Sequence, residues 1–131
     1  MIDVAVGVII NSSQEVLMTQ RALSLHQGGL WEFPGGKVEK NESVEEALIR
    51  EFQEELNIRI QETTFLMMLE HHYAEKSVKL HVYKILQYNG IPKICDGQLD
   101  LQWFSLRTWN NEHTPVPVSN IKIMAELQKI L

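Results

Sequence analysis

The chain has few of the residues that stabilise secreted proteins or anchor membrane proteins. Cys95 is the only cysteine among 131 residues, so an internal disulfide cannot form, which favours a reducing, cytoplasmic location. The apolar run at residues 4–10 is far too short to span a bilayer, and Asp3 precedes it where a signal peptide would carry positive charge. We therefore expect a cytoplasmic protein with no membrane partner.

Basic residues are outnumbered and dispersed. Lysine and arginine total 12 against 17 acidic residues, which gives a formal net charge of −5, and no cluster of basic residues occurs. Proteins that bind a nucleic-acid duplex neutralise many phosphates with clustered lysine and arginine, so this charge argues against a duplex as the main partner. A single nucleotide remains compatible with the charge, because a bound cation can neutralise its phosphates.

The overall composition is that of an ordinary globular protein, 44% hydrophobic and 22% charged. A length of 131 residues fits one domain, spanning 1–131. Residues 22–37 are rich in glycine and proline and are predicted to be a loop. Strands are predicted at residues 2–10, 15–19, 63–73, 77–88 and 99–105, and helices at 43–56 and 119–131. Because these elements do not alternate regularly, we expect an α/β fold in which helices cover a mixed sheet.

The helix at residues 43–56 has clear start and stop signals. Ser43 and Glu46 form a capping box at its beginning. Asn57 follows its last turn, where a left-handed residue is often needed. One face of the helix is apolar and is expected to be buried, through Val44, Ala47, Leu48, Phe52 and Leu56.

Three glutamates on this helix are candidates for a metal site. Glu51, Glu54 and Glu55 stand at positions i, i+3 and i+4, so they project from one side of the helix. Carboxylates so close repel one another unless a cation lies among them, and Mg²⁺ prefers oxygen ligands. The glycines before the helix allow the backbone to approach a metal or substrate closely. The alternative is an acidic, solvated helix face with no ligand.

The residues around this helix resemble the signature of the Nudix hydrolase family. That signature is a glycine, five residues, a glutamate, seven residues, Arg-Glu, an aliphatic or similar residue, any residue, Glu-Glu, any residue, a glycine and an apolar residue. The chain matches it with Gly36, Glu42, Arg50, Glu51, Phe52, Glu54, Glu55 and Ile58. It departs from the signature at Asn57, where asparagine can adopt the same backbone conformation as glycine.

This resemblance implies a Nudix-like α/β/α sandwich in which the signature forms a loop–helix–loop. It implies that Mg²⁺, or Mn²⁺ in its place, is bound by Glu51, Glu54 and Glu55 and by the backbone carbonyl of Gly36. It also implies that Glu42 pairs with Arg50 and braces the loop against the helix. An ordinary surface ion pair is the alternative for Glu42 and Arg50.

The resemblance extends to the MutT-type pyrophosphatases of this family. Residues 5–9, 19–22 and 31–37 are similar to the segments that precede the signature in those enzymes. Asp96-Gly97-Gln98 is similar to their Glu-Gly-Gln loop, which implies that Asp96 is a further metal ligand or proton acceptor. The alternative is that Asp96 and Gly97 simply form a turn.

The same similarity suggests residues for substrate binding. Asn120 lies in a segment from which MutT-type enzymes present an asparagine to the purine edge, and its amide offers a donor beside an acceptor. Alternatively, Ser119 or Asn120 caps the last helix. Arg21 and Lys37 are expected to face phosphates or the base. Phe33 is expected to line the base pocket, unless it only packs in the core.

The function implied is Mg²⁺-dependent hydrolysis of a nucleoside triphosphate, such as 8-oxo-dGTP or a related oxidised purine nucleotide, to a nucleoside monophosphate and pyrophosphate. Glu51 is the first candidate for the base that takes a proton from water, and Asp96 is the second. Two alternatives remain at this point: another substrate, such as a modified pyrimidine triphosphate, or a non-catalytic module that binds an oxidised base. The protein is expected to be a monomer or a homodimer.

Overall fold

The computed structural model describes residues 1–131 and contains two sheets and two helices. The elements are β1 (Ile2–Val8), β2 (Glu15–Gln20), β3 (Trp31–Glu32), β4 (Gly35–Lys37), α1 (Val44–Leu56), β5 (Arg59–His72), β6 (Ser77–Asn89), β7 (Asp100–Ser105) and α2 (Val118–Lys129). Strands β1, β4, β5 and β6 form a sheet in the order β4-β1-β6-β5, and β2, β3 and β7 form a second sheet in the order β3-β2-β7. No helix is both long and apolar enough to cross a membrane.

The first sheet is mixed, as the sequence predicted. Strand β1 runs parallel to β6 and antiparallel to β4, while β5 and β6 form an antiparallel hairpin. Side chains alternate across β1, so Ala5 enters one hydrophobic cluster while Val6 and Val8 enter another. The first cluster includes apolar residues of α1, and the second includes those of α2. The sheets therefore lie between two helices, which confirms the α/β/α sandwich.

Helix α1 is anchored by local bonds and by close packing on β1. The amide of Glu46 donates to Oγ of Ser43 at 3.1 Å, and the amide of Ser43 donates to Oε1 of Glu46 at 2.9 Å, which confirms the capping box. Asn57 ends the helix in the left-handed conformation, with φ of 57° and ψ of 36°. A Cβ on Gly7 would lie 2.5 Å from Cζ of Phe52. The glycine therefore lets the helix approach the sheet closely, which fixes the position of its glutamates.

The loop predicted at residues 22–37 was wrong in its second half. Strand β3 pairs with β2 and β4 pairs with β1, so both lie within that range. Glycine and proline have low strand propensity, but pairing with an already formed neighbour overrides it here. Strand β5 also begins earlier than predicted, at Arg59 rather than 63, because the polar stretch before 63 conceals a strand that contains bulges.

Candidate active site

Arg50 connects the glycine-containing loop to helix α1. Its Nε and Nη2 donate to the two carboxylate oxygens of Glu42 at 2.8 and 3.0 Å, and Nη2 also donates to the carbonyl of Lys37 at 3.0 Å. Its Nη1 donates to Oε1 of Glu51 at 2.8 Å. Because one guanidinium binds a loop carbonyl and carboxylates on both segments, it holds the loop in place more firmly than an isolated surface ion pair would.

The charge of Arg50 also determines the protonation of Glu42. The side-chain hydrogen bond from Arg50, followed by the backbone hydrogen bond from the amide of Glu39, lowers the pKa of Glu42 to about 2. Glu42 is therefore ionised throughout the physiological range, and the brace between loop and helix persists there.

Glu55 is a half-buried carboxylate with an unsatisfied oxygen. Its Oε1 accepts a hydrogen bond from Nε2 of Gln98 at 3.3 Å, whereas Oε2 is buried and accepts no hydrogen bond of ordinary geometry, although the backbone amide of Gly35 acts on this carboxylate to lower its pKa. Burial first, and then the negative charges of Glu51, Glu32 and Asp96, raise the pKa of Glu55 to about 8. A buried acceptor without a donor is unfavourable, so this oxygen is suited to a cation.

Unlike Glu55, the neighbouring glutamates Glu51 and Glu54 contact Arg50. Burial raises the pKa of Glu51, and the hydrogen bond from Arg50 opposes that rise. Glu54 is 59% exposed and its Oε2 lies 3.4 Å from Nη1 of Arg50. No three acidic, histidine or cysteine side chains already lie in ligand geometry. One carboxylate oxygen of each side chain contacts Arg50, and the metal-binding roles of Glu51 and Glu54 stay predictions.

Gly36 lies against the carboxylate of Glu51. A Cβ at Gly36 would lie 2.6 and 2.7 Å from the two carboxylate oxygens of Glu51. These distances are shorter than a van der Waals contact, so any side chain at Gly36 would displace Glu51. The backbone of the glycine loop and the carboxylate cluster are therefore in direct contact, as a metal site formed by both requires.

We predict that Gly36→Ala lowers kcat/KM at least about tenfold, which corresponds to about 1.4 kcal/mol of barrier. The reason is that the added methyl group displaces the carboxylate of Glu51, while the fold is retained because the end of that side chain can move. The measurement is steady-state hydrolysis together with a thermal melt. An unchanged kcat/KM in a folded variant would contradict the proposed role of this contact.

A cavity of about 230 Å³ opens beside the glycine loop. It is lined by all four residues that the sequence predicted for substrate binding, together with Gly36; these are Arg21, Phe33, Lys37 and Asn120. Apolar residues of its lining include Val4, Val6, Val78 and Leu80. Polar residues of its lining include His26, Gln27, Tyr73 and Lys76. The cavity thus combines apolar walls with a few polar groups, which is typical of ligand sites.

Asn120 faces this cavity and does not cap helix α2. The helix has Pro117 at its N-cap and no side-chain capping bond, so the capping alternative for Ser119 and Asn120 was wrong. Oδ1 of Asn120 accepts from the amide of Phe33 at 3.0 Å, and Nδ2 donates to Oγ of Ser119 at 3.3 Å. Phe33 is 4% exposed and belongs to the hydrophobic core, and it also lines the cavity. Core packing and a place in the lining of the cavity are therefore compatible for this residue.

Arg21 lines the cavity and is bonded to other residues of the protein, and its predicted role toward phosphates or the base stays a prediction. Its Nη1 donates to both carboxylate oxygens of Glu32 at 3.1 and 3.2 Å, and its Nε donates to the carbonyl of His26 at 2.9 Å. It therefore braces the loop that forms one side of the cavity. Lys37 is exposed at the cavity edge and is the freer cation.

Asp96 lies in a bend of the loop before β7, and the following residue, Gly97, has a φ of 79°. Asp96 is exposed, yet its charge acts on the pKa of both Glu51 and Glu55 and therefore lies near them. The position of Asp96 is therefore compatible with the predicted role as a metal ligand or proton acceptor beside Glu51 and Glu55.

Three site residues were missed by sequence reasoning. Glu32 neighbours Phe33 in a segment that was recognised, but its contact with Arg21 depends on the pairing of β2 with β3. Gln98 also lies in a recognised segment, and it contacts Glu55 across 43 positions. Tyr73 reaches Ser119, with the hydroxyl oxygens 3.3 Å apart, and no local pattern indicates that contact.

Comparisons with known proteins show which sequences and folds this chain resembles. The family model of the NUDIX domain matches residues 1–127. An 8-oxo-dGTP diphosphatase of Escherichia coli (strain K12) is 33% identical over 129 residues, which are 98% of each chain. A CTP pyrophosphohydrolase of the same organism is 37% identical over 105 residues, 80% of this chain and 76% of that protein. The crystal structure of a MutT NUDIX hydrolase from Burkholderia pseudomallei superposes with a TM-score of 0.85 at 26% identity, covering 95% of each chain.

Proposed function

The chain belongs to the Nudix family of hydrolases, and from this we propose that it hydrolyses an oxidised purine nucleoside triphosphate, with 8-oxo-dGTP as the first candidate, to the monophosphate and pyrophosphate. One observation carries the proposal: a single cavity extends from the amide of Asn120 to Gly36, and Gly36 contacts the carboxylate of Glu51. A base bound at Asn120 would place its phosphates toward the carboxylates. Similarity to an 8-oxo-dGTP diphosphatase over 98% of the chain supports this substrate.

The carboxylates fit a divalent cation, which is also a proposal. Glu51, Glu54 and Glu55, the carbonyl of Gly36 and Asp96 would hold Mg²⁺, or Mn²⁺ in its place. The buried Oε2 of Glu55 and the pKa of about 8 support this, because burial and the neighbouring carboxylates disfavour the ionised form of Glu55, which a bound cation would stabilise. When bound, the cation would polarise the phosphate oxygens and neutralise the charge that develops on them.

The protein's own groups would orient the water and accept its proton. Glu51 is the first candidate for the base, since Arg50 fixes its position 2.8 Å away and burial raises its pKa. Asp96 is the second candidate, because its charge reaches the same carboxylates from the loop before β7. Lys37 would bind a phosphate at the cavity edge. No covalent intermediate is required.

The amide of Asn120 suits an oxidised guanine for a chemical reason. Guanine presents two acceptors, N7 and O6, on its Hoogsteen edge. Oxidation at C8 places a proton on N7, so the edge becomes a donor beside an acceptor. Oδ1 of Asn120 has a second lone pair after its bond to the amide of Phe33, and Nδ2 is held only by a 3.3 Å contact with Ser119. The amide can therefore pair with both groups of the oxidised base.

We predict that Asn120→Ala reduces the ratio of kcat/KM for 8-oxo-dGTP to that for dGTP by about tenfold or more, since a paired base contact contributes about 1–3 kcal/mol of discrimination. It should also lower stability by about 1–3 kcal/mol, because the amide of Phe33 loses its acceptor. Both enzymes are assayed on a panel of ordinary and oxidised purine and pyrimidine triphosphates, CTP included.

Asn111→Ala provides the matched control. Oδ1 of Asn111 also accepts from a backbone amide, that of Val116 at 3.0 Å, but outside the cavity. The Asn111→Ala substitution should lower the melting temperature and leave unchanged the ratio of kcat/KM for 8-oxo-dGTP to that for dGTP. If Asn120→Ala behaves in the same way, base reading by Asn120 is refuted. Higher kcat/KM of the wild type on CTP or a modified pyrimidine would favour the pyrimidine alternative, and no turnover of any substrate would indicate a binding module.

A further inference from the structure

The loop between β6 and β7 is fixed to the C-terminal end of helix α1. The amide of Cys95 donates to the carbonyl of Glu55 at 2.9 Å, and the amide of Lys93 donates to the carbonyl of Leu56 at 3.1 Å. The last carbonyls of a helix have no partner within the helix, so these bonds satisfy groups that would otherwise be exposed or unpaired. At its other end, the amide of Leu99 donates to the carbonyl of Gln20 at 2.9 Å. The loop is therefore held from both sides next to Glu55.

The side chain of Gln98 links this loop to the carboxylate cluster. Its Nε2 donates to Oε1 of Glu55 at 3.3 Å, and its Oε1 accepts from the amide of Asp96 at 3.3 Å. One amide group thus contacts the carboxylate of the helix and the backbone of the loop acid at the same time. Gln98 is half-buried, so water competes with these bonds less than it would on an open surface.

The bond from Gln98 selects which oxygen of Glu55 is left free. Oε1 is occupied by the amide, whereas Oε2 is buried without a partner. A neutral amide suits this task, because it donates a hydrogen bond without adding charge. A lysine here would neutralise the carboxylate and compete with a cation, and an ionised glutamate could not donate at all.

We propose that Gln98 is a positioning residue for the metal site: it orients the carboxylate of Glu55 so that Oε2 faces the cation, and it holds Asp96 beside the same centre. The inference rests on the proposed function, because cation binding at these glutamates is itself proposed. Groups that orient metal ligands through hydrogen bonds commonly change metal affinity when they are removed.

The test measures Mn²⁺ binding to the nucleotide-free protein by calorimetry or by electron paramagnetic resonance. Gln98→Met keeps the length of the side chain and removes both hydrogen bonds. We expect the Mn²⁺ dissociation constant to rise by about tenfold or more, and the Mg²⁺ concentration for half-maximal turnover to rise with it. At saturating Mg²⁺, the kcat of Gln98→Met should be much closer to the wild-type value than its Mn²⁺ affinity is.

Two comparisons separate positioning from a general structural effect. Gln102→Met is the matched control, since Gln102 is exposed and its amide contacts only Asp100; its Mn²⁺ affinity should equal that of the wild type. In a Glu55→Gln background, Gln98→Met should have little further effect on Mn²⁺ affinity, because its target carboxylate is already gone. Should Gln98→Met fail to fold, Gln98→Asn, which is one methylene shorter and cannot keep both bonds, replaces it.

The failures of the two proposals are distinguishable. If the wild type binds Mn²⁺ and Gln98→Met binds it equally well, the positioning role is overturned and the proposed function is untouched. An equal loss of affinity for Gln98→Met in the wild-type and Glu55→Gln backgrounds would also overturn it, since Gln98 would then not act through Glu55. If the wild type itself neither binds Mn²⁺ nor requires Mg²⁺ for turnover, the proposed function fails first.

Discussion

Removal of divalent cations is expected to reduce turnover by at least about a thousandfold, since charge neutralisation by a metal is worth several kcal/mol of barrier. The structural reason is that the guanidinium of Arg50 offsets only part of the negative charge of the ionised carboxylates near Gly36. Arg50 contacts Glu42 and Glu51 directly, while Oε2 of Glu55 has no partner. A polyphosphate would add more negative charge to this region, so it cannot bind productively there without a cation.

The experiment compares enzyme treated with a chelator and enzyme to which Mg²⁺ is restored in excess. A thermal melt in chelator checks that the protein stays folded, which the two hydrophobic clusters predict because neither depends on the carboxylates. Recovery of the full rate after Mg²⁺ addition is expected. Equal rates in the chelated and restored samples would rule out a cation-dependent mechanism.

Glu55→Gln should lower kcat/KM by at least about a hundredfold, corresponding to about 2.7 kcal/mol of barrier, and should raise the melting temperature of the cation-free protein. The loss of rate follows from the loss of a charged ligand. The gain in stability follows because burial and neighbouring carboxylates disfavour the ionised form of Glu55. These opposite changes in one variant separate a metal ligand from an ordinary structural residue.

The stability gain has a predicted pH dependence in the presence of chelator. The pKa of Glu55 is raised from 4.5 to about 8 in the folded protein, so between these values the folded state binds more protons than the unfolded state. Stability of the wild type therefore falls as the pH rises through this window. Glu55→Gln removes that contribution, so its advantage in melting temperature should grow from pH 5 to pH 8.

Glu45→Gln is the matched control for this variant. Glu45 is also a glutamate of helix α1, but it is exposed in the first turn, whereas Glu55 lies in the last turn. Its kcat/KM should stay within about twofold of the wild type, since surface substitutions away from a site usually have small effects. If Glu45→Gln and Glu55→Gln lose activity equally, the effect is not specific to the proposed ligand.

The parts of the site predicted from sequence are those with local causes. The limits of α1 follow from Ser43, Glu46 and Asn57, whose bonds are all within a few residues. The spacing of Glu51, Glu54 and Glu55 follows from helix geometry alone. The pairing of Glu42 with Arg50 follows from the Nudix resemblance, and the structure places them in contact.

The parts that could not be predicted depend on contacts between distant segments. Strand β4 forms because Gly35 to Lys37 pair with β1, which its own composition does not indicate. Asn120 bonds to the amide of Phe33 across 87 positions, which is why a cap and a pocket residue could not be distinguished from sequence. The hydrogen bond from Gln98 to Glu55 likewise joins segments 43 positions apart.

The most direct test of the account is ³¹P NMR of 8-oxo-dGTP hydrolysis by the wild type, run in parallel with Mg²⁺ and with chelator. The account predicts 8-oxo-dGMP and pyrophosphate as the products with Mg²⁺, and no cleavage with chelator. Formation of 8-oxo-dGDP and orthophosphate, or cleavage at the same rate in chelator, would contradict it.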